Sequence, residues 1–249
     1  MWRKIKSTYI LQNVFTYVDD SKKLKSIKYN KTIQKICGLS LVDYRRFSGR
    51  YIEVESDKIK EYNSYNNNLI FEGIYLNDKW KEGKEYNEER NLIFEGEYLD
   101  GRKWNGVEKE YDEDSGKLIF ECKLKNGERD GEGKEYDKFN GLLLFEGHYS
   151  NDKRNGQGRE YKYIPRQESR NDYYSSSYSS SYKQITLFEG EYLNGERKEG
   201  KEYNYESKLV YEGGYLNGRK NGKGKLYGDY DYRLKYEGEF LNGKKMEKG

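Results

Sequence analysis

From Leu69 onward the chain repeats one phrase. "LIFEGIYLNDKWKEG" begins at Leu69, "LIFEGEYLDGRKWNG" at Leu92, "LFEGEYLNGERKEG" at Leu187 and "LVYEGGYLNGRKNG" at Leu209. Aligned on the aromatic residue of Phe/Tyr-Glu-Gly, the units sit at Phe71, Phe94, Phe120, Phe145, Phe188, Tyr211 and Tyr236. Most spacings lie near 25 residues, and one longer gap separates Phe145 from Phe188. A fixed period between roughly 20 and 50 residues marks a repeat array, and it constrains the fold before composition does.

Each unit alternates with period 2. In the second, Leu92, Phe94, Gly96 and Tyr98 share one face, and Ile93, Glu95, Glu97 and Leu99 share the other. That is a strand pattern. An Asn-Gly or Asp-Gly step follows at Asp100-Gly101, Asn126-Gly127, Asn194-Gly195, Asn217-Gly218 and Asn242-Gly243, and such pairs reverse a chain. A second strand then reads Gly-Lys-Glu-Tyr, as at Gly133–Tyr136 and Gly200–Tyr203. Each unit is therefore expected to be a β-hairpin, and stacked hairpins share faces that one hairpin alone leaves in water.

Three aromatic columns supply the packing. One contains the seven aligned rings. The second is Tyr75, Tyr98, Tyr149, Tyr192, Tyr215 and Phe240, with Leu124 in the third unit. The third is Tyr86, Tyr111, Tyr136, Tyr161, Tyr203 and Tyr227. Gly73, Gly96, Gly147, Gly190, Gly213 and Gly238 lie between the first two columns, where a side chain would collide with a ring or a strand. Cys122 takes that place in the third unit. With 37% charged residues, few apolar ones and no alanine, the composition alone would fit disorder. Aromatics at 16% and at fixed spacing let an array bury a thin layer instead.

"YEGGYLNGRKNGKGKLY" (Tyr211–Tyr227) and "FEGHYSNDKRNGQGREY" (Phe145–Tyr161) resemble the MORN repeat. Its pattern is Tyr-Glu-Gly-x-Trp/Tyr-x-Asn-Gly-Lys-x-x-Gly-x-Gly-x-x-x-Tyr. The resemblance covers about residues 69–249 in seven units. Lys81 and Lys198 replace the first glycine of the Gly-x-Gly, and Glu108 replaces the second. The resemblance implies a mostly β fold: a linear antiparallel sheet of stacked β-hairpins with a groove along one side. It further implies scaffolding, dimerisation, and links to membranes and phosphoinositides.

Residues 1–62 do not follow the repeat. Ile10, Leu11, Val14, Phe15 and Val18 have helical spacing, Asp20-Ser21 caps a second helix, and Thr32 begins a third that Gly38 stops. "YILQNVFTYVDDSKKLKSIKYN" resembles the F-box rhythm, without its opening Leu-Pro. Two readings stay open. The segment caps the first hairpin, or it docks an adaptor of a cullin-type ubiquitin ligase through Ile10, Leu11, Val14 and Phe15. The expected organisation is a helical segment at 1–62, a repeat array at 63–249, and a disordered Ser/Tyr-rich insertion at 164–184. Ser175–Ser181 in that insertion offer phosphorylation sites.

The search for chemistry favours a surface over a catalyst. Glutamates recur at 72, 95, 121, 146, 189, 212 and 237 and again at 85, 110, 135, 160 and 202. A catalytic carboxylate pair is singular, whereas these recur as a ladder. Lys84, Lys109, Lys134, Arg159 and Lys201 precede the second set and suit cross-strand pairing. His148 is the only histidine and has no Cys or Asp companion in sequence. No catalytic residue, metal or cofactor is expected. Candidate partner-binding residues are Tyr75, Trp80, Tyr98, Trp104, Tyr149, Tyr192 and Tyr215, with Trp80 and Trp104 at equivalent places in the first two units. Net charge of +3, from 47 basic and 44 acidic residues, leaves no footprint for nucleic acid and little pull toward an anionic membrane. Cys37 and Cys122 form no framework, and no apolar run reaches a membrane-spanning length. The expectation is a cytoplasmic, soluble, non-enzymatic scaffold that binds other proteins. Substrate adaptor and peripheral membrane binder are the alternatives, and self-association would use the sheet edge.

Overall fold

The computed structural model describes residues 8–27, 30–39, 41–76, 79–165 and 182–246. The chain divides into two compact units, Met1–Gly101 and Arg102–Gly249.

The first unit opens with four short helices, α1 (Thr8–Thr16), α2 (Asp20–Ile27), α3 (Lys31–Ile36) and α4 (Leu41–Ser48). Phe15, Ile27, Ile33 and Phe47 bury together as their core, and Phe15 meets Phe47 edge-on at 5.9 Å. The Asn30 side chain accepts the Ile33 N–H and starts α3, and Gly38 with φ of 61° ends it. Helix α4 was not foreseen, and the helical segment stops at Ser48 instead of residue 62.

Five strands follow in the first unit: β1 (Arg50–Glu55), β2 (Lys58–Asn63), β3 (Leu69–Leu76), β4 (Lys79–Tyr86) and β5 (Leu92–Leu99). They pair antiparallel in chain order. The β1–β2 hairpin precedes the first recognised unit. It lacks Phe-Glu-Gly and turns at Ser56-Asp57, so the repeat pattern does not mark it.

The second unit is β6 (Arg102–Tyr111), β7 (Leu118–Lys125), β8 (Glu128–Tyr136), β9 (Leu143–Ser150), β10 (Lys153–Pro165), β11 (Tyr182–Leu193), β12 (Glu196–Tyr203), β13 (Leu209–Leu216), β14 (Arg219–Tyr227), β15 (Leu234–Leu241) and β16 (Lys244–Lys245). These strands too pair antiparallel in chain order. The chain is thus mostly β, built from stacked hairpins.

The turns follow the sequence. Asn126-Gly127, Asn194-Gly195, Asn217-Gly218 and Asn242-Gly243 all have positive φ at both residues, the geometry that matches strand twist. Asn151-Asp152 adopts it without glycine, at 50° and 61°. At the opposite end, Asp112, Asp137 and Asn204 accept backbone N–H groups two to four residues on and close the longer loops.

The insertion is shorter than expected. Strands β10 and β11 run past their neighbours as a paired ribbon from Tyr161↔Thr186 to Pro165↔Tyr182, and Ile185 on it is buried. Positions 164–165 and 182–184 are therefore strand, because they pair with each other. Residues 166–181, including Ser175–Ser181, lie outside the described residues.

Candidate functional site

Alternation gives each unit two chemically different faces. On the aromatic face, Phe71, Phe145, Phe188 and Tyr211 lie across the paired glycines of their own hairpins. A Cβ on Gly147 or Gly158 would meet Phe145 Cζ at 2.8 and 2.7 Å, and one on Gly190 or Gly200 would meet Phe188 Cζ at 2.9 and 2.5 Å. Only glycine leaves that volume to the ring. The second-column tyrosines then stand edge-on: Tyr149 lies 6.0 Å from Phe145 and 5.4 Å from Phe120, and Tyr192 lies 5.5 Å from Phe188 and 5.2 Å from Phe145.

A residue that sequence reading left among solvated charges closes this layer. The second residue of β8, β10, β12, β14 and β16 lies over the aligned ring of its hairpin. Arg129, Arg154 and Arg197 place their guanidinium carbons 4.1, 4.0 and 4.4 Å from the centroids of Phe120, Phe145 and Phe188. Lys220 lies 4.6 Å from the Tyr211 centroid and Lys245 5.5 Å from that of Tyr236. A carboxylate collects the polar ends. Glu135 accepts Arg154 Nε at 2.7 Å, Nη2 at 2.6 Å and the Tyr149 hydroxyl. Glu160 accepts the Tyr192 hydroxyl at 2.7 Å and Arg197 Nε at 3.2 Å. Burial alone would raise both carboxyls, but the arginine and tyrosine donors overcome it and hold them below their ordinary value. The signal was present in sequence as a cation nine residues after each ring from Phe94 onward.

The expected partner-binding tyrosines belong to this layer. Tyr98, Tyr149 and Tyr192 are buried, and Tyr75 and Tyr215 are half-buried. Each gives its hydroxyl to a glutamate: Tyr75 to Glu61, Tyr98 to Glu85, Tyr149 to Glu135, Tyr192 to Glu160 and Tyr215 to Glu202. Burial, then the neighbouring glutamates, push their phenols up, Tyr75 to about 12. Rings so used have little surface left for a partner. Trp80 and Trp104 are not equivalent. Trp80 is the second residue of β4 and stacks on Phe71 at 4.4 Å and 1°, whereas Trp104 is the third residue of β6. Counting from the strand start separates them, and Lys103 stands at the true equivalent of Trp80.

The opposite face carries charge. In the first unit Glu53, Lys60, Glu72, Lys84 and Glu95 stand side by side on successive strands. In the second the ladder is Lys109, Glu121, Lys134, Glu146, Arg159, Glu189, Lys201, Glu212, Lys225 and Glu237. The signs alternate throughout. Arg159 reaches Glu189 at 3.2 Å and Lys134 reaches Glu121 at 3.6 Å. Tyr86, Tyr136, Tyr161 and Tyr203 donate to ladder carboxylates Glu72, Glu121, Glu146 and Glu189. Beside the ladder in the second unit runs a groove of about 820 Å³ over Gly133, Gly147, Gly158, Gly190, Gly200 and Gly213. A groove of about 420 Å³ follows the first unit's ladder.

His148 joins this face as an exposed pair with Glu132, Nε2 to Oε1 at 2.7 Å. Burial raises the Cys122 thiol to about 11, which keeps it in the unreactive protonated form. Among the described residues, no group of three or more His, Cys, Asp and Glu is arranged to hold a metal, and no helix is long and apolar enough to cross a membrane. On α1, Ile10 and Val14 are exposed while Phe15 is buried against α4. The Leu11 side chain lies outside the described residues. No family model and no curated protein matches the chain.

Proposed function

We propose that the chain is a non-enzymatic, MORN-like scaffold for protein–protein interaction, and that the ladder face is its working surface. The observation that carries this reading is the contrast between the faces. The aromatic face spends its rings, cations and carboxylates on one another. The ladder face presents half-exposed charges and a long groove, with the same chemistry repeated on strand after strand. Exposed ion pairs contribute only about 0–1 kcal/mol each, so a partner can replace them at small cost. Affinity capture with the intact chain, against a variant carrying Lys134→Glu, Arg159→Glu and Lys201→Glu, tests the reading. Loss of specific partners with fold retained by circular dichroism is expected. An unchanged partner set would move the working surface elsewhere.

The exposed Ile10 and Val14 favour a second reading, in which α1 docks the adaptor of a cullin-type ligase and the hairpins hold its target. Ile10→Glu with Val14→Glu would then remove ligase subunits from the captured set and leave the other partners in place.

A further inference from the structure

The residue that closes the first strand of each hairpin points to the ladder face. It is Leu76, Leu99, Lys125, Ser150, Leu193, Leu216 and Leu241 in turn. Leu193, Leu216 and Leu241 stand on β11, β13 and β15, and they are 50%, 55% and 52% exposed. Across each turn they face Glu196, Arg219 and Lys244. Three half-exposed leucines in register, at the turn end of the face that carries the charge ladder, form an apolar row that the described residues leave open. Such rows mark interaction sites.

Geometry and charge select the occupant. Neighbouring strands lie roughly 4.8 Å apart, so leucines on alternate strands recur about every 9.6 Å. An α-helix repeats a face every seven residues, about 10.5 Å at its rise of 1.5 Å per residue. A helix laid across the strands drifts about 1 Å per leucine, which side-chain rotamers absorb. An extended strand repeats a face about every 6.8 Å and falls out of step at once. Behind the row, Gly214 stands beside Leu216 with no side chain, where other units carry Ile74, Glu97, Lys123, His148, Glu191 or Glu239, and the Asn221 carbonyl fills the place a Cβ would take. Charge changes sign at the turns. Glu196 faces Leu193, with Glu199 farther along β12, whereas Arg219 and Lys244 face Leu216 and Leu241; behind them Glu191 is paired with Lys198 at 2.9 Å and Glu239 stands opposite Lys223.

We propose that the leucine row of β11–β16 docks one amphipathic helix of a partner protein. Its apolar residues recur at seven-residue spacing. Its basic end lies over Glu196 and Glu199, and its acidic end over Arg219 and Lys244. This rests on the scaffold reading and names the class of partner.

The probe is a labelled synthetic helix of roughly three heptads, with leucines at seven-residue spacing, lysines at one end and glutamates at the other. A second peptide has the same composition in scrambled order. Fluorescence anisotropy measures both against the intact chain and against Leu193→Ser/Leu216→Ser/Leu241→Ser. Half-exposed leucines are replaceable without loss of fold, which circular dichroism checks, and Leu76→Ser/Leu99→Ser is the control. The expected result is saturable binding of the patterned helix, weakened at least about tenfold by the triple substitution and by scrambling, and untouched by the control. Equal binding to the triple variant, or none to the patterned helix, overturns the proposal. Leucine-dependent binding to vesicles of anionic phospholipid, with no helix binding, assigns the row to lipid instead and overturns it too. In affinity capture, partners that persist with the triple variant would sink the row and leave the scaffold reading standing. Loss of all partners from the intact chain would sink the scaffold reading itself.

Discussion

Hairpins β3–β4 and β9–β10 solve the same problem with different chemistry. In both, a phenylalanine lies across two glycines and must be shielded from water on its open side. In β9–β10 the Arg154 guanidinium lies over Phe145 and donates twice to Glu135. In β3–β4 the neutral Trp80 lies over Phe71, and its Nε1–H reaches Glu61 at 3.0 Å. Glu61 is the one fully buried charged residue described, and its counter-charge comes from Arg50 at 3.1 Å, on β1. The place therefore takes an N–H donor aimed at a carboxylate, flat in these two hairpins and an ammonium at Lys220, which reaches Glu202 at 3.0 Å. Positive charge is dispensable there when another strand supplies it.

Alkaline pH removes what the two hairpins share and should have the largest effect. The second-column tyrosines and Tyr136, Tyr203 and Tyr211 have phenols raised by burial first, the last three to about 12. A raised value favours the folded state fully below the unfolded value near 10, and that support fades as pH climbs through the folded value. Cooperative unfolding above pH 10 is expected, with tyrosinate absorbance rising alongside loss of the β circular-dichroism signal. Tyrosinate appearing well before that signal falls would contradict the packing described.

Phe71→Ala and Phe145→Ala come next. Each should lose about 3–5 kcal/mol in urea unfolding, because each ring fills the space over its glycines. A much smaller loss at Phe71 would mean that Trp80 collapses onto the sheet, and the two caps would not be alternatives for one role.

Replacing the caps sharpens the difference. Arg154→Met strands Glu135 in a half-buried site and should cost about 2–3 kcal/mol at neutral pH. The loss should shrink in acid. The lowered Glu135 value means its contribution is present above the ordinary carboxylate range and is lost as pH falls through the folded value. Trp80→Leu removes no charge and leaves Glu61 with Arg50, so its loss should be insensitive to added salt, unlike that of Arg154→Met. Matching salt profiles for the two variants would break the comparison.

The smallest effect lies in a turn. Asp152 holds φ of 61° where other turns have glycine, but its carboxylate accepts the Arg129 N–H at 2.9 Å, so Asp152→Gly relieves φ as it loses that bond and should shift the urea stability of the second unit by less than about 1 kcal/mol.

Hairpins, turns and glycine floor were legible because each depends on neighbours close in sequence. The Phe-Glu-Gly alternation and the Asn-Gly steps carry them. The β1–β2 hairpin was not, since Tyr51-Ile52-Glu53-Val54 alternates too briefly to stand apart from the helices before it. The caps were missed for a different reason. Arg129, Arg154 and Arg197 read as solvated charges until the fold sets each over a ring nine residues earlier. Burial of Tyr149 and Tyr192 was equally hidden, because it depends on rings from the neighbouring hairpin. Leu193, Leu216 and Leu241 stood in plain view, but alternation alone does not say which face water keeps.

In each unit, strands pair only with those next to them in the chain, and side chains such as Tyr149 and Tyr192 reach the neighbouring hairpin. Apart from the β10–β11 ribbon, each pairing closes a short loop, so little entropy is lost before a contact forms. Folds of such local connectivity form quickly, and their stability is a sum over nearest neighbours. The second unit should therefore not melt as a block. Strands β15 and β16 should exchange amide hydrogens first, and protection should deepen strand by strand toward the cluster around Phe145 and Phe188, like a zip whose slider starts from the end.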